Sequence, residues 1–176
     1  QSVTLRTAGF ASFNQDALTE ASKVLSDLLM FVGGSSGSTA GGVKTVTMGL
    51  VVLSAVSTMR GRRQVTVFGR SISQEDIANA VSIALLVMGL SLLGAAVITV
   101  CDGCSFMNAI YETISALCTV GLTTGITPTL CIASKLILIV FMFFGRVGIM
   151  TIGVGFMMGD RARERVQYAE TKVMIG

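Results

Sequence analysis

Uncharged apolar stretches separated by short polar breaks run through most of the chain. The clearest lies between Ile77 and Cys101, 25 consecutive residues without a charge. As a helix this segment would be about 37 Å long, enough to cross a hydrocarbon core of about 30 Å. It is predicted to span a membrane. A second candidate span is Cys131 to Met158. Between the two lies Asp102–Leu130, a moderately hydrophobic stretch too short and too apolar for an external domain, which contains Glu112, Gly121, Gly125 and the chain's one proline, Pro128. That pattern predicts a re-entrant pore loop. Its first part, Phe106–Leu117, reads as a short helix, and the glycine-containing part after it as extended backbone, tolerated at membrane depth where it lines water or protein.

The N-terminal third repeats this arrangement. Thr7-Ala8-Gly9-Phe10 and Thr119-Val120-Gly121-Leu122 share a Thr-x-Gly-apolar pattern 112 residues apart, each followed by a polar loop and an apolar segment. The repeating unit reads helix, pore loop, helix. Ala17–Val32 and Thr45–Met59 are predicted helices, separated by Gly33-Gly34-Ser35-Ser36-Gly37-Ser38-Thr39-Ala40-Gly41-Gly42, in which five of ten residues are glycine. One unbroken helix over 17–59 would be about 64 Å long, twice a bilayer, so a break or kink is required there. In the first piece Asp16, Glu20, Lys23 and Asp27 recur at spacings of 4, 3 and 4. They would share a helix face that meets water or protein; an amphipathic surface helix is the alternative.

Composition agrees with the membrane reading: 52% of residues are hydrophobic, 13% are charged and the mean hydropathy is +0.76. With no histidine and no tryptophan, Ser-His-Asp or Cys-His catalysis and His-based metal sites are excluded from this segment, and no enzymatic activity is expected. The arginines gather in two groups beside apolar segments: Arg60, Arg62, Arg63 and Arg70, then Arg161, Arg163 and Arg165. Such placement is the positive-inside signal rather than a nucleic-acid footprint, and it puts 60–75 and the C-terminal tail in the cytoplasm. Ile77–Cys101 then crosses outward and Cys131–Met158 returns. The chain starts at Gln1 without a signal sequence, as expected of a fragment.

A dehydrated monovalent cation needs oxygen ligands in place of water, and backbone carbonyls from several pore loops can supply them. Glycine permits the backbone conformation and close approach this requires. Gly9 and Gly121 are therefore the predicted selectivity residues, with the carbonyls of Thr7, Ala8, Thr119 and Val120 and the threonine hydroxyls lining the same column. The C-terminal, partially negative end of helix 106–117 would face the filter and favour a cation. Arg146 interrupts the last span, where a charge costs about 3 kcal/mol on insertion scales and must find partners. Carbonyls freed at the glycine-rich break would accept from its guanidinium and hold the loop across the pore as a gate; a carboxylate elsewhere is the alternative partner. Gly33, Gly34, Ser35, Ser36, Gly37, Ser38, Thr39, Gly41 and Gly42, with Lys44 and Arg146, are the gating candidates. Gly37–Thr45 approaches a phosphate-binding loop, but Val43 intervenes before Lys44, so no nucleotide is expected on this chain. Cys101 and Cys104 have CxxC spacing without a second pair or a histidine, and read as interfacial cysteines, a local disulfide remaining the alternative.

Leu5-Arg6-Thr7-Ala8-Gly9-Phe10, Gly33–Thr45, Thr119-Val120-Gly121-Leu122-Thr123-Thr124-Gly125 and Gly145-Arg146-Val147-Gly148 resemble the Trk/Ktr/HKT family of potassium transporters. The ending, Lys172-Val173-Met174-Ile175-Gly176, is similar to that of bacterial Ktr membrane subunits. The resemblance covers nearly the whole chain. It implies an all-α integral membrane protein with four helix–pore loop–helix repeats around one pore and one filter glycine per repeat. This chain would hold the end of the third repeat (1–59), a cytoplasmic linker (60–75), the fourth repeat (76–159) and a cytoplasmic tail (160–176). It further implies potassium as the transported ion, with sodium as a candidate activator or coupled ion, in the multi-pass setting of the cell membrane. The implied partners are membrane lipid, a second copy in a homodimer and a cytoplasmic ring of nucleotide-binding regulatory subunits, with no nucleic acid. A membrane scaffold without flux and a membrane-bound ATPase are the competing readings, the latter weakened by Val43.

Overall fold

The computed structural model describes residues 2–6, 8–12, 14–35, 41–61, 65–67 and 70–147. Of the residues singled out above, Thr7, Ser36–Ala40, Arg62, Arg63 and everything after Val147, including the tail 160–176, lie outside that set.

Five helices carry the described chain: α1 (Glu20–Phe31), α2 (Thr45–Met59), α3 (Gln74–Asp102), α4 (Phe106–Leu117) and α5 (Ile132–Val147). Helix α3 is 29 residues long and, among the described residues, is the one helix long and apolar enough to cross a membrane. Its ends explain its length. Ser73 caps the start by accepting the Asp76 N–H at 3.1 Å, with Glu75 and Asp76 at the positive end of the helix, and Gly103 closes the other end at φ +63. Helix α5, predicted to begin a return crossing, is described as far as Val147.

Helix α4 lies at the centre, packed on α1, α3 and α5. Close contact at small residues and hydrogen bonds between the helices fix this arrangement. Gly94 of α3 illustrates this: a β-carbon there would run into the Phe141 ring of α5 and stand 3.1 Å from Thr113 Cγ2 of α4. The Thr113 hydroxyl also donates to the Ser91 carbonyl at 3.1 Å. At the rim, Asp102 accepts the Cys131 N–H at 2.6 Å and the Ser134 hydroxyl, which ties the end of α3 to the start of α5.

Two predicted helices, Thr45–Met59 and Phe106–Leu117, have the predicted bounds. The prediction of a helix from Ala17 is corrected. Gln15–Ala17 is a separate 3-10 turn, Leu18 is extended, and Thr19 caps α1 by accepting the Ser22 N–H at 3.3 Å. Asp16 consequently falls off the predicted charged face. Of the other three, Glu20 is exposed, whereas Lys23 and Asp27 are buried against protein, not on the surface of an amphipathic helix. Lys23 donates to Asn108 Oδ1 at 2.9 Å and lies 3.9 Å from Glu20, while the Tyr111 hydroxyl reaches Gln15 Oε1 at 3.1 Å, so polar contacts lock the first segment onto α4.

The linker 60–75 adds one departure from an all-helical chain. Two-residue strands β1 (Thr66–Val67) and β2 (Arg70–Ser71) pair antiparallel, with Thr66 opposite Ser71. The Ile72 N–H extends the pairing to the Val65 carbonyl at 3.0 Å.

The glycine-rich break separates α1 from α2 as predicted. Val32 and Val43 form an isolated parallel bridge, with the Gly33 N–H on the Val43 carbonyl at 2.8 Å and the Thr45 N–H on the Gly34 carbonyl at 3.1 Å. Parallel pairing means the chain leaves this neck heading the way it entered. Helices α1 and α2 are thus two pieces of one interrupted path.

Candidate functional site

The two Thr-x-Gly segments meet. Gly9 has φ +66 and Gly121 φ +84, the left-handed region that glycine enters without strain. A β-carbon on Gly9 would collide with the Val120 carbonyl oxygen and lie 3.8 Å from Gly121 Cα. Segments far apart in sequence therefore bring backbone against backbone at the predicted selectivity residues. Both are held from behind by one hydrophobic cluster in which Leu5, before the first segment, packs with Met30, Tyr111, Ile114, Cys118, Val120 and Leu122.

Each loop is fixed by its own hydrogen bonds. The N–H groups of Ala8 and Gly9 both donate to the Thr4 carbonyl at 3.1 Å. At the end of α4 the Thr119 N–H donates to the Ala116 carbonyl at 3.1 Å and the Val120 N–H to the Ser115 carbonyl at 2.9 Å, while the Ser115 hydroxyl donates to the Leu122 carbonyl at 2.6 Å. These bonds turn the chain sharply off the helix. Thr119 takes φ +56, the one positive φ at a non-glycine residue among those described, and a costly conformation for a β-branched side chain. The carbonyl end of α4 lies directly before this loop, so the helix dipole presents partial negative charge to it.

Sequence reasoning named Glu112 only as part of the loop region, and its role was missed. The carboxylate is buried. Its Oε1 accepts the Thr123 hydroxyl at 2.6 Å, the Thr124 N–H at 2.9 Å and the Thr124 hydroxyl at 3.2 Å, and its Oε2 accepts the Thr127 hydroxyl at 3.0 Å. One α4 side chain thus clamps the segment from Thr123 to Thr127. The available signal was a carboxylate in an apolar helix followed by three nearby threonines.

The predicted gate touches the base of the same loop. The Gly41 N–H donates to Thr119 Oγ1 at 3.1 Å. A β-carbon on Gly41 would stand 2.5 Å from that oxygen and 3.0 Å from the Cys118 carbonyl, and one on Gly42 (φ +72) would stand 2.7 Å from Cys118 Sγ. From the other side, Gly145 of α5 abuts the Leu117 carbonyl, and its β-carbon would lie 3.0 Å from Thr119 Cγ2. Gly33 is buried against the Gly41 carbonyl, Gly34 accepts from Thr45, and Ser35 is exposed. Lys44 is exposed at the residue before α2, and Arg146 is exposed in the last turn of α5, next to Gly145. All four cysteines are free, with Cys101 exposed and Cys104 partly covered; burial pushes the Cys104 thiol above its ordinary range.

Residues 1–163 match a family model described as TrkH, cation transport protein. The chain belongs to the TrkH family. TrkH-family relatives align along its whole length. The potassium/sodium uptake protein NtpJ of Enterococcus hirae is 36% identical over 180 residues, 99% of this chain and 40% of that protein. The Ktr system potassium uptake protein B of Bacillus subtilis is 36% identical over 176 residues, 100% of this chain and 39% of that protein, and its namesake in Vibrio alginolyticus is 32% identical over 178 residues, 100% of this chain and 38% of that protein. The chain spans about two fifths of the length of these relatives. TrkH proteins are cation transporters rather than enzymes, and membrane proteins.

Proposed function

We propose that this chain forms part of a potassium uptake pore, contributing two of its filter segments and an intramembrane gate. The observation that carries the reading is the contact of Gly9 with the Val120 carbonyl, which sets two Thr-x-Gly loops side by side in the left-handed conformation. In this reading the carbonyls of Thr7, Ala8, Thr119 and Val120 supply oxygen ligands to a dehydrated cation, and glycine at 9 and 121 lets the backbones approach. The chain holds the end of a third repeat and all of a fourth. The remaining filter walls come from repeats outside it.

The loop 33–42 is the gate and Arg146 donates to it. Lys44 adds positive charge at its cytoplasmic side. Residues 60–75 and 160–176 face the cytoplasm, the membrane subunit pairs with a second copy, and a ring of nucleotide-binding regulatory subunits sits beneath. Sodium acts as activator or coupled ion, consistent with the potassium/sodium name of the Enterococcus hirae relative.

The test uses the full-length protein. It is expected to rescue growth of a potassium-uptake-deficient bacterium at low potassium, and Gly121→Ser is expected to lower potassium selectivity over sodium in the same cells. Absence of rescue, or unchanged selectivity in the variant, removes the reading. For the gate, Arg146→Ala is expected to alter ion flux, and unchanged flux removes the role assigned to Arg146.

A further inference from the structure

A hydroxyl inside a helix ordinarily turns back and donates to the carbonyl four residues earlier. Ser26, Thr58 and Ser91 do so, at 2.8, 2.9 and 2.8 Å. Ser115 of α4 reaches forward instead, past the end of its helix, and donates to the Leu122 carbonyl at 2.6 Å. Both residues are buried.

The backbone carbonyl of Ser115 is committed to the same loop. It accepts the Val120 N–H at 2.9 Å, while the Thr119 N–H donates to the Ala116 carbonyl at 3.1 Å and Thr119 takes φ +56. This pair of bonds around a left-handed residue is a Schellman ending. Ser115 therefore grips residue 120 through its carbonyl and residue 122 through its hydroxyl. Gly121, at φ +84 and with nothing within 4 Å of an added β-carbon, is the link between the two fixed points.

The bond draws the Leu122 carbonyl back toward α4, into the packed layer that holds Tyr111, Ile114 and Val120. A dehydrated cation is selected by how many carbonyl oxygens reach it and by how freely they close on it. With Leu122 held back, the carbonyls this loop can offer end at Gly121, and the turn is kept from closing on a smaller ion.

We infer that Ser115 is a specificity-determining positioning residue, which keeps the Leu122 carbonyl off the ion and holds the Gly121 turn at a spacing that favours potassium over sodium. The inference rests on the pore reading above. Without the hydroxyl, the Leu122 carbonyl loses its buried donor and turns to the ion. Glu112, three residues earlier on the same face of α4, still holds Thr123, Thr124 and Thr127, so the change is confined to the link at 121–122.

The experiment uses the full-length protein in proteoliposomes and measures rubidium uptake, sodium uptake and melting temperature. Ser115→Ala is expected to lower the rubidium-to-sodium ratio about three- to tenfold, the range that one net hydrogen bond sustains. If that variant does not fold, Ser115→Cys, close in size and a weak donor, carries the same expectation. Ser115→Thr keeps the hydroxyl and should keep the ratio. Leu122→Ala removes buried packing but leaves the carbonyl and its donor, so it should melt lower with the ratio retained. A wild-type ratio in Ser115→Ala, or a ratio that merely follows melting temperature across the variants, overturns the inference. Absence of rubidium uptake by the wild type sinks the pore reading; uptake with an unchanged ratio in Ser115→Ala sinks only the role of Ser115.

Discussion

Glu112 and Thr124 are joined twice through one oxygen: Glu112 Oε1 accepts the Thr124 N–H at 2.9 Å and the Thr124 hydroxyl at 3.2 Å. Thr123 and Thr127 complete the clamp, so a single buried carboxylate holds the segment that follows the Thr119–Gly121 turn.

Removing that carboxylate strands several donors at once. Glu112→Ala is expected to cost about 1–3 kcal/mol, the scale for leaving buried polar groups unsatisfied. Glu112→Gln keeps one good acceptor oxygen but presents an amide NH2 to the other side, and should fall between alanine and wild type. Thermal unfolding of the detergent-solubilised full-length protein measures the stability order, and potassium-over-sodium uptake should deteriorate in the same order.

Gly9 and Gly121 should differ in their tolerance of alanine. At Gly121 nothing lies within 4 Å of an added β-carbon, so the cost is conformational, about 1–2 kcal/mol for an L-residue in the left-handed region. At Gly9 the same conformational cost is joined by collision with the Val120 carbonyl. Gly9→Ala is therefore expected to impair rubidium uptake more than Gly121→Ala; equal effects would show that the two loops do not abut.

Glycine to alanine inside a helix ordinarily stabilises by about 1 kcal/mol. At Gly145 the sign should reverse, because the new methyl would meet the Leu117 carbonyl, and overpacking of this kind costs about 1–3 kcal/mol. Gly89 in α3, with open space around it, is the control in which alanine should stabilise. The two variants are compared by melting temperature.

Cys101 and Cys104 should label as two independent thiols, unaffected by prior reductant, with exposed Cys101 reacting first. Burial raises the Cys104 thiol above its ordinary range, which leaves less thiolate at neutral pH. Its maleimide labelling rate should therefore keep climbing with pH through the alkaline range. Mass spectrometry of the labelled peptides reads both rates.

Helices were legible where local pattern decided them. Phe106–Leu117 and Thr45–Met59 are bounded by Ser105, Cys118, Lys44 and Arg60, and their extents follow from the sequence on either side. The start of α1 was misplaced because apolar and charged spacing continued back past Thr19, although a threonine three residues before Ser22 is itself a capping signal. Gly9 and Gly121 could be found by their repeated setting. The clamp by Glu112 and the seating of Gly41 on Thr119 could not, since each joins residues whose proximity depends on how the loop after α4 turns, and that turn rests on a threonine at φ +56 that no propensity favours.

The bridge between Val32 and Val43 has a mechanical consequence. Because Val32 and Val43 pair directly, with the Gly33 N–H on the Val43 carbonyl and the Thr45 N–H on the Gly34 carbonyl, a force separating α1 from α2 is borne by these backbone bonds at the neck and not by the residues between them.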